Sequence, residues 1–398
     1  MAEPRPQIPY FKEFLPTPVC IVLSLFFAMV FQFNGGVFLP AATQMSSALG
    51  CIQEDVTMAG YASFIGMLMV VWICVMCLTR TIRLGKKIPL YGIDWIGLLL
   101  WTVMLFAIVF ICIYGRFYDW LDSVQIRSCI VIAVVSLLIN INRMTSIRHP
   151  YIDPQVFRYK KFPVVLFLFL MLCLFLTTSS VLQNAFMTSI LQYDMLNAIS
   201  LNWCVFAGIL AGAGIVFFRQ AVLKKGYKLL ISVGFTLIVM YQYYMYFLIY
   251  PDLNIESLYL PNFLKGIGHG VLYISLTIYV AKHIPFKHFF QSLCVLSFIR
   301  TSIATPMGSA ILNRWMKHLQ RDNWGLLSRN MDNLHEWMPD VSLIQLYEEV
   351  NTQTMLTSLK ELFGWICLLG TVFLVIVSAT ESGATATWQR SKCCIACP

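Results

Sequence analysis

The stretch Leu260–Asn313 decides how this chain is read. It holds two apolar runs, LPNFLKGIGHGVLYISLTIYVA (260–281) and SLCVLSFIRTSIATPMGSAIL (292–312), separated by the short basic turn KHIPFKH (282–288). Each run has the length that crosses a bilayer as a helix. Each also carries charge inside it. Lys265 and His269 lie one turn apart on the same face, and Arg300 sits mid-run with Pro306-Met307-Gly308 behind it. Ionisable groups at membrane depth are expensive, so they normally face a bundle interior or a water-filled path.

Composition agrees with an all-α integral membrane protein. Hydrophobic residues make up 59% of the 398 residues and charged residues 12%, and mean hydropathy is +0.73. A soluble domain carries roughly 25% charged residues. The net charge of +9 is spread between apolar runs and forms no single basic stripe, so nucleic acid is not an expected partner. Most of the 13 cysteines lie inside apolar runs, where they act as small buried hydrophobes, and no disulfide framework is expected. Cys393, Cys394 and Cys397 lack a neighbouring histidine and read as an exposed tail, so no metal site is expected. No phosphate-binding glycine loop, zinc-protease motif or nucleophile elbow is present, which argues against an enzyme and against nucleotide-driven transport. No cofactor is implied. Acidic residues and prolines precede the first apolar run, which reads as a retained span and not as a signal peptide.

Ten spans follow from the apolar runs: 19–40, 56–79, 93–114, 126–142, 162–182, 198–218, 229–250, 260–281, 289–312 and 362–378. The fourth is short and tapers into Asn140 and Asn142, and the ninth has an alternative end at Pro306. With both termini cytoplasmic, nineteen Lys and Arg fall inside and seven outside; Lys265 and Arg300 complete the 28. That bias is the positive-inside pattern. The segments divide as an N-terminal helix pair (1–90), a connecting pair (91–160), a six-helix bundle (161–382) and a cytoplasmic tail (383–398). A polar external segment, 313–361, interrupts the bundle. Its apolar residues recur at helical spacing, which predicts amphipathic helices lying on the outer face or capping the bundle.

Several segments, in order, resemble the fourteen-helix drug/proton antiporter family of the major facilitator superfamily. They are YGIDWIGLLLW (91–101), GRFYDWLDS (115–123), HPYIDPQVFRYKKFP (149–163), LPNFLKGIGHGVLY (260–273) and FIRTSIATPMGSAILNRW (298–315). Phe33 to Pro40 and the following QMSSALGCIQEDVTMAGYASFIG resemble that family's first helix and the start of its second. Lys265-Gly266-Ile267-Gly268 and Phe298-Ile299-Arg300 through Gly308 stand at two of its motifs. The resemblance implies a major-facilitator-like C-terminal bundle and proton-coupled export of hydrophobic or cationic small molecules. The partners it implies are the lipid bilayer, the small-molecule substrate, protons, and a periplasmic adaptor protein docking on the external segment. It also implies a bacterial inner membrane. The chain departs from the family where most of helices three to six would fall, which leaves a shortened N-terminal half. The alternative function is therefore a non-transporting relative that acts as a membrane scaffold or binds a partner, or an inactive remnant.

Each candidate residue has two readings. Lys265 either snorkels to the outer interface or lines a pathway. His269 is either a packed histidine or a titrating proton site, since its ordinary range lies near neutrality. Arg300 either pairs with carbonyls or an acid such as Asp94, or touches substrate. Asp94, at the cytoplasmic end of the third span, is the acid nearest to membrane depth. Asn34 stands where the family commonly carries an acid, and Asn34-Gly35-Gly36 reads as a helix break or a packing kink. Gly266, Gly268, Gly270 and Gly308 read first as close helix packing and second as cavity lining.

Overall fold

The computed structural model describes residues 45–62, 94–115, 117–147, 150–159, 161–193, 198–223, 227–329 and 342–395, and all regular structure among them is helical. Eight helices among them are long and apolar enough to cross a membrane. Helices are the form a chain of this composition must take, because lipid offers no partner to an open backbone amide. The chain is an all-α integral membrane protein.

In order, α1 is Trp95–Tyr114, α2 Val124–Ser146 and α3 Phe162–Thr178, which continues through a π turn at Ser179–Gln183 to Asn184–Ser189. Then come α4 (Ala198–Phe217), α5 (Lys228–Leu248) and α6 (Tyr259–His283). Next, α7 (Phe286–Phe298) passes through a π turn at Ile299–Ala304 into α8 (Thr305–Ser328), and α9 is Leu343–Ile395. These account for the last eight of the ten spans read from the sequence. The first, 19–40, and all but 56–62 of the second lie outside the described residues.

The chain divides into two compact units. One holds the described residues up to Arg158 with Ser297–Pro306, and the other holds Tyr159–Leu296 and the chain from Met307 onward. In the first unit, Asp94 begins α1 by accepting from the Gly97 amide at 2.9 Å. The same carboxylate binds Arg143, with Nε and Nη2 each at 2.8 Å. It thereby ties the start of α1 to the end of α2. Asp55 accepts from the Tyr114 hydroxyl at 2.5 Å at the opposite end of α1. Ser297–Pro306 packs on α1, where Phe298 stacks on Trp101 with centroids 6.4 Å apart. The Asp94 side chain is 3% exposed, so removing it strands a guanidinium and an uncapped helix. Asp94→Ala is expected to cost about 2–4 kcal/mol. Thermal unfolding of the detergent-solubilised protein would show this as a lowered midpoint, with Asp94→Asn closer to wild type.

The helical run through Arg300 does not end at Pro306. Proline lacks the N–H that would reach the Ser302 carbonyl, and its ring crowds that position. The helix accommodates this by widening to a π turn just before the proline, where the Thr305 hydroxyl donates to the Arg300 carbonyl at 2.8 Å.

In the second unit α6 packs between α4 and α5. Val216, Leu230 and Val271 form a buried cluster there with Ile267, Ile274 and Ile278 against it. In the polar segment 313–361, α8 runs without a break to Ser328 and α9 begins at Leu343. The two pair antiparallel: Trp315 meets Trp365, Gln320 meets Met355, and Trp324 meets Tyr347 with centroids 5.2 Å apart. The physical reason is a seam. Leu312, Met316 and Asn323 are buried on α8, and Val350, Thr354, Ser358 and Leu362 on α9. These four- and seven-residue intervals put the buried positions on one face of each helix.

Candidate functional site

The site grows from a run of hydroxyls in α3, Thr177-Thr178-Ser179-Ser180. Each bonds back to a carbonyl three or four residues earlier: Cys173, Phe175, Leu176 and Thr177, at 2.6 to 2.9 Å. Such back-bonding competes with the helical ladder and bends helices. Here α3 opens into the Ser179–Gln183 π turn, a device often found at functional sites.

Around that turn the second unit gathers polar groups from three helices. Gln183 on α3 accepts from the Tyr241 hydroxyl of α5 at 2.7 Å. Gln242, next to Tyr241, donates to the Phe175 carbonyl at 3.1 Å and to the Thr178 hydroxyl at 2.5 Å. On α6 the Lys265 ammonium donates to Asn262 Oδ1 at 2.7 Å and sits 5.2 Å from the centroid of the Tyr241 ring. Asn262 is held in turn by the Leu258 carbonyl at 2.8 Å. Tyr241 and Gln242 are fully buried, and Gln183, Thr178, Asn262 and Lys265 nearly so. One acceptor in this set, Gln242 Oε1, is buried with no partner among the described residues.

The chemistry is that of a cation held by neutral groups. Lys265 is buried, with the residue 8% exposed, and its ammonium meets an amide oxygen and an aromatic face. A charge-assisted hydrogen bond contributes about 1.5–3 kcal/mol and a desolvated cation–π contact about 2 kcal/mol. Together these lessen a desolvation cost of several kcal/mol, and among the described residues no carboxylate pairs with the ammonium. Tyr241→Phe would leave Gln183 Oε1 without its donor and is expected to cost about 1–3 kcal/mol. Differential scanning fluorimetry reads that loss.

Gly266 and Gly270 let α6 approach α4 backbone to backbone. A Cβ on Gly266 would strike the Val205 carbonyl oxygen and come within 3.0 Å of Gly208 Cα, and one on Gly270 would lie 2.8 Å from the Ile209 oxygen. Gly208 and Gly212 of α4 are the reciprocal half, meeting Phe263, Gly266 and Ile267. Gly268 does the same against α5, with the Gly234 oxygen 2.9 Å from its missing Cβ. Gly308 on α8 faces the α3 hydroxyl run, with Thr177 Oγ1 at 3.2 Å from where a Cβ would stand.

The other candidates are placed elsewhere. His269 is half-buried and sets its ring edge toward Tyr273, centroids 6.1 Å apart; Tyr273 also meets Phe169 of α3. Arg300 is half-buried in the π turn of the first unit. Asp94 is engaged by Arg143 and the α1 cap. Asn34 lies outside the described residues. Among the described residues, Lys265 is the sequence candidate whose side chain the polar cluster holds. Its companions Gln183, Tyr241, Gln242 and Asn262 are neutral, and a search for charges passes over them. The available signal was the unbroken Thr-Thr-Ser-Ser run and single amides inside apolar spans.

No protein-family model matches the chain. It is 21% identical over 289 residues to the probable multidrug resistance protein EmrY of Escherichia coli strain K12. The similarity covers 68% of this chain and 55% of that relative, so the chain spans about half the length of the curated protein it matches. The molecule is thus a helical integral membrane protein distantly similar to a probable multidrug resistance protein.

Proposed function

We propose that the chain is a membrane transporter of the major facilitator type that exports hydrophobic or cationic small molecules in exchange for protons. The observation that carries this reading is Lys265, a lysine buried among neutral polar groups from three membrane helices. Two unit charges 4 Å apart at an effective dielectric near 20 repel by about 4 kcal/mol, on the order of a thousandfold in occupancy. A cationic substrate arriving beside Lys265 therefore expels the ammonium proton, and proton return expels the substrate. That exclusion couples the two fluxes without a membrane carboxylate. His269, one turn away, is the second proton-pathway candidate, and Arg300 in its widened turn is the candidate substrate contact of the other unit. The similarity to a multidrug resistance protein supports the substrate class.

The test is energised efflux of a lipophilic cation, such as ethidium, from cells expressing the chain, beside empty vector and an Arg300→Ala variant. Extrusion that collapses with the proton gradient and weakens in Arg300→Ala supports export. Extrusion equal to empty vector across a panel of lipophilic cations, at matched membrane levels, overturns it in favour of a non-transporting scaffold or partner-binding protein.

A further inference from the structure

An open groove of about 640 Å³ runs between the C-terminal end of α5 and the middle of α9, walled by Tyr246, Tyr250, Lys360, Glu361, Trp365 and Leu368 among others. We propose that it binds a zwitterionic phospholipid whose headgroup carries an ammonium, with the phosphate on Lys360 and the ammonium on Glu361.

Both charges are aimed by neighbours. The Lys360 ammonium stands 5.7 Å from the Tyr246 ring centroid. Glu361 Oε2 accepts from Asn323 Nδ2 at 3.3 Å, and Asn323 is itself buried and held by Ser358 at 3.1 Å. Among the described residues neither Lys360 nor Glu361 enters an ion pair. Adjacent residues on a helix diverge by about 100°, so the two charges present separate poles to one groove. A phosphate gains a charge-assisted bond at the first, and an ammonium gains the second along with the aromatic faces.

The remainder of the ligand is read from α9 below the groove. Trp365, Leu368, Leu369, Val372 and Ile376 are all exposed. Their spacing makes one continuous apolar stripe on that helix, and its first two members also wall the groove. An acyl chain laid on this stripe brings its headgroup to Lys360 and Glu361. Tyr246, Tyr250 and Trp365 are the aromatic types that settle at the headgroup level. An anionic lipid would supply the phosphate but place no cation on Glu361, so the pair selects the zwitterion. This inference needs only a membrane protein and is independent of the transport reading.

The experiment is lipid retention. The full chain is purified from nanodiscs holding equal amounts of phosphatidylethanolamine and phosphatidylglycerol, and bound lipid is counted by native mass spectrometry. Wild type is expected to keep phosphatidylethanolamine over phosphatidylglycerol by about tenfold, roughly the effect of one good charge pair. Lys360→Ala is expected to lose retention of both lipids. Glu361→Gln is expected to keep lipid but lose the preference. Soluble phosphoethanolamine, which lacks acyl chains, is expected not to displace the lipid. Equal retention of the two lipids by wild type, or an unchanged preference in both variants, overturns the proposal. Displacement by soluble phosphoethanolamine overturns the lipid assignment in favour of a soluble zwitterion.

Discussion

Replacing Gly266 with leucine is expected to eliminate the folded protein. The new Cβ would meet the Val205 carbonyl oxygen and Gly208 Cα, and both are backbone atoms that cannot rotate aside. Relief requires α4 and α6 to separate, which also opens the contacts at Gly212 and Gly270. Overpacking against mobile side chains costs about 1–3 kcal/mol. Here the obstacle is a helix, so the expected loss is several kcal/mol, a large part of the roughly 5–15 kcal/mol that holds a typical protein folded. The measurement is the fraction of monodisperse protein after detergent extraction. Gly266→Ala is expected to give an intermediate yield with a lowered melting midpoint. Gly214→Ala, on α4 where nothing lies within 4 Å of an added Cβ, is expected to be neutral or to stabilise by about 0.5–1 kcal/mol. Equal yields from Gly266→Leu and wild type would refute backbone contact between these helices.

The second large effect concerns Lys265. Lys265→Gln keeps a polar group beside Asn262 but removes the charge, and efflux of a lipophilic cation is expected to fall by about a hundredfold or more. That follows from losing roughly 4 kcal/mol of charge exclusion. Stability is expected to hold or rise, because removing a buried charge together with its desolvation cost is often neutral or favourable. The two readouts must therefore diverge. A parallel loss of folding and efflux would make the lysine a structural residue. His269→Ala, whose ring lies beside Tyr273 outside the polar cluster, is expected to change the pH dependence of efflux more than its maximum.

Most of the helices were legible in the sequence because twenty-residue apolar runs admit one solution in lipid. Even the short run tapering into Asn140 forms a full 23-residue helix. The ends were not legible. Apolarity marks where lipid begins and says nothing of where a helix stops, and α8 and α9 continue past the apolar region because they pair with each other. The site was legible only in its charge. Lys265 stands out in any reading, but its setting depends on a π turn that rotates Gln183 toward Tyr241. That turn arises from four hydroxyls whose back-bonding is a conformational choice. Asp94 shows the opposite limit: the residue was found, but its partner, Arg143, comes from the far end of the next helix and only the fold brings them together.

The glycine contacts bear on how such a molecule could move. With no Cβ between them, α4 and α6 are fastened along their backbones, and Gly268 fastens α6 to α5 in the same way. Contacts of this kind hold the three backbones close together, so the three helices are expected to move as a group. Of the helices that carry the polar cluster, α5 and α6 belong to that group. Helix α3, already bent at its π turn, joins them through the hydrogen bonds of Gln183, Tyr241 and Gln242.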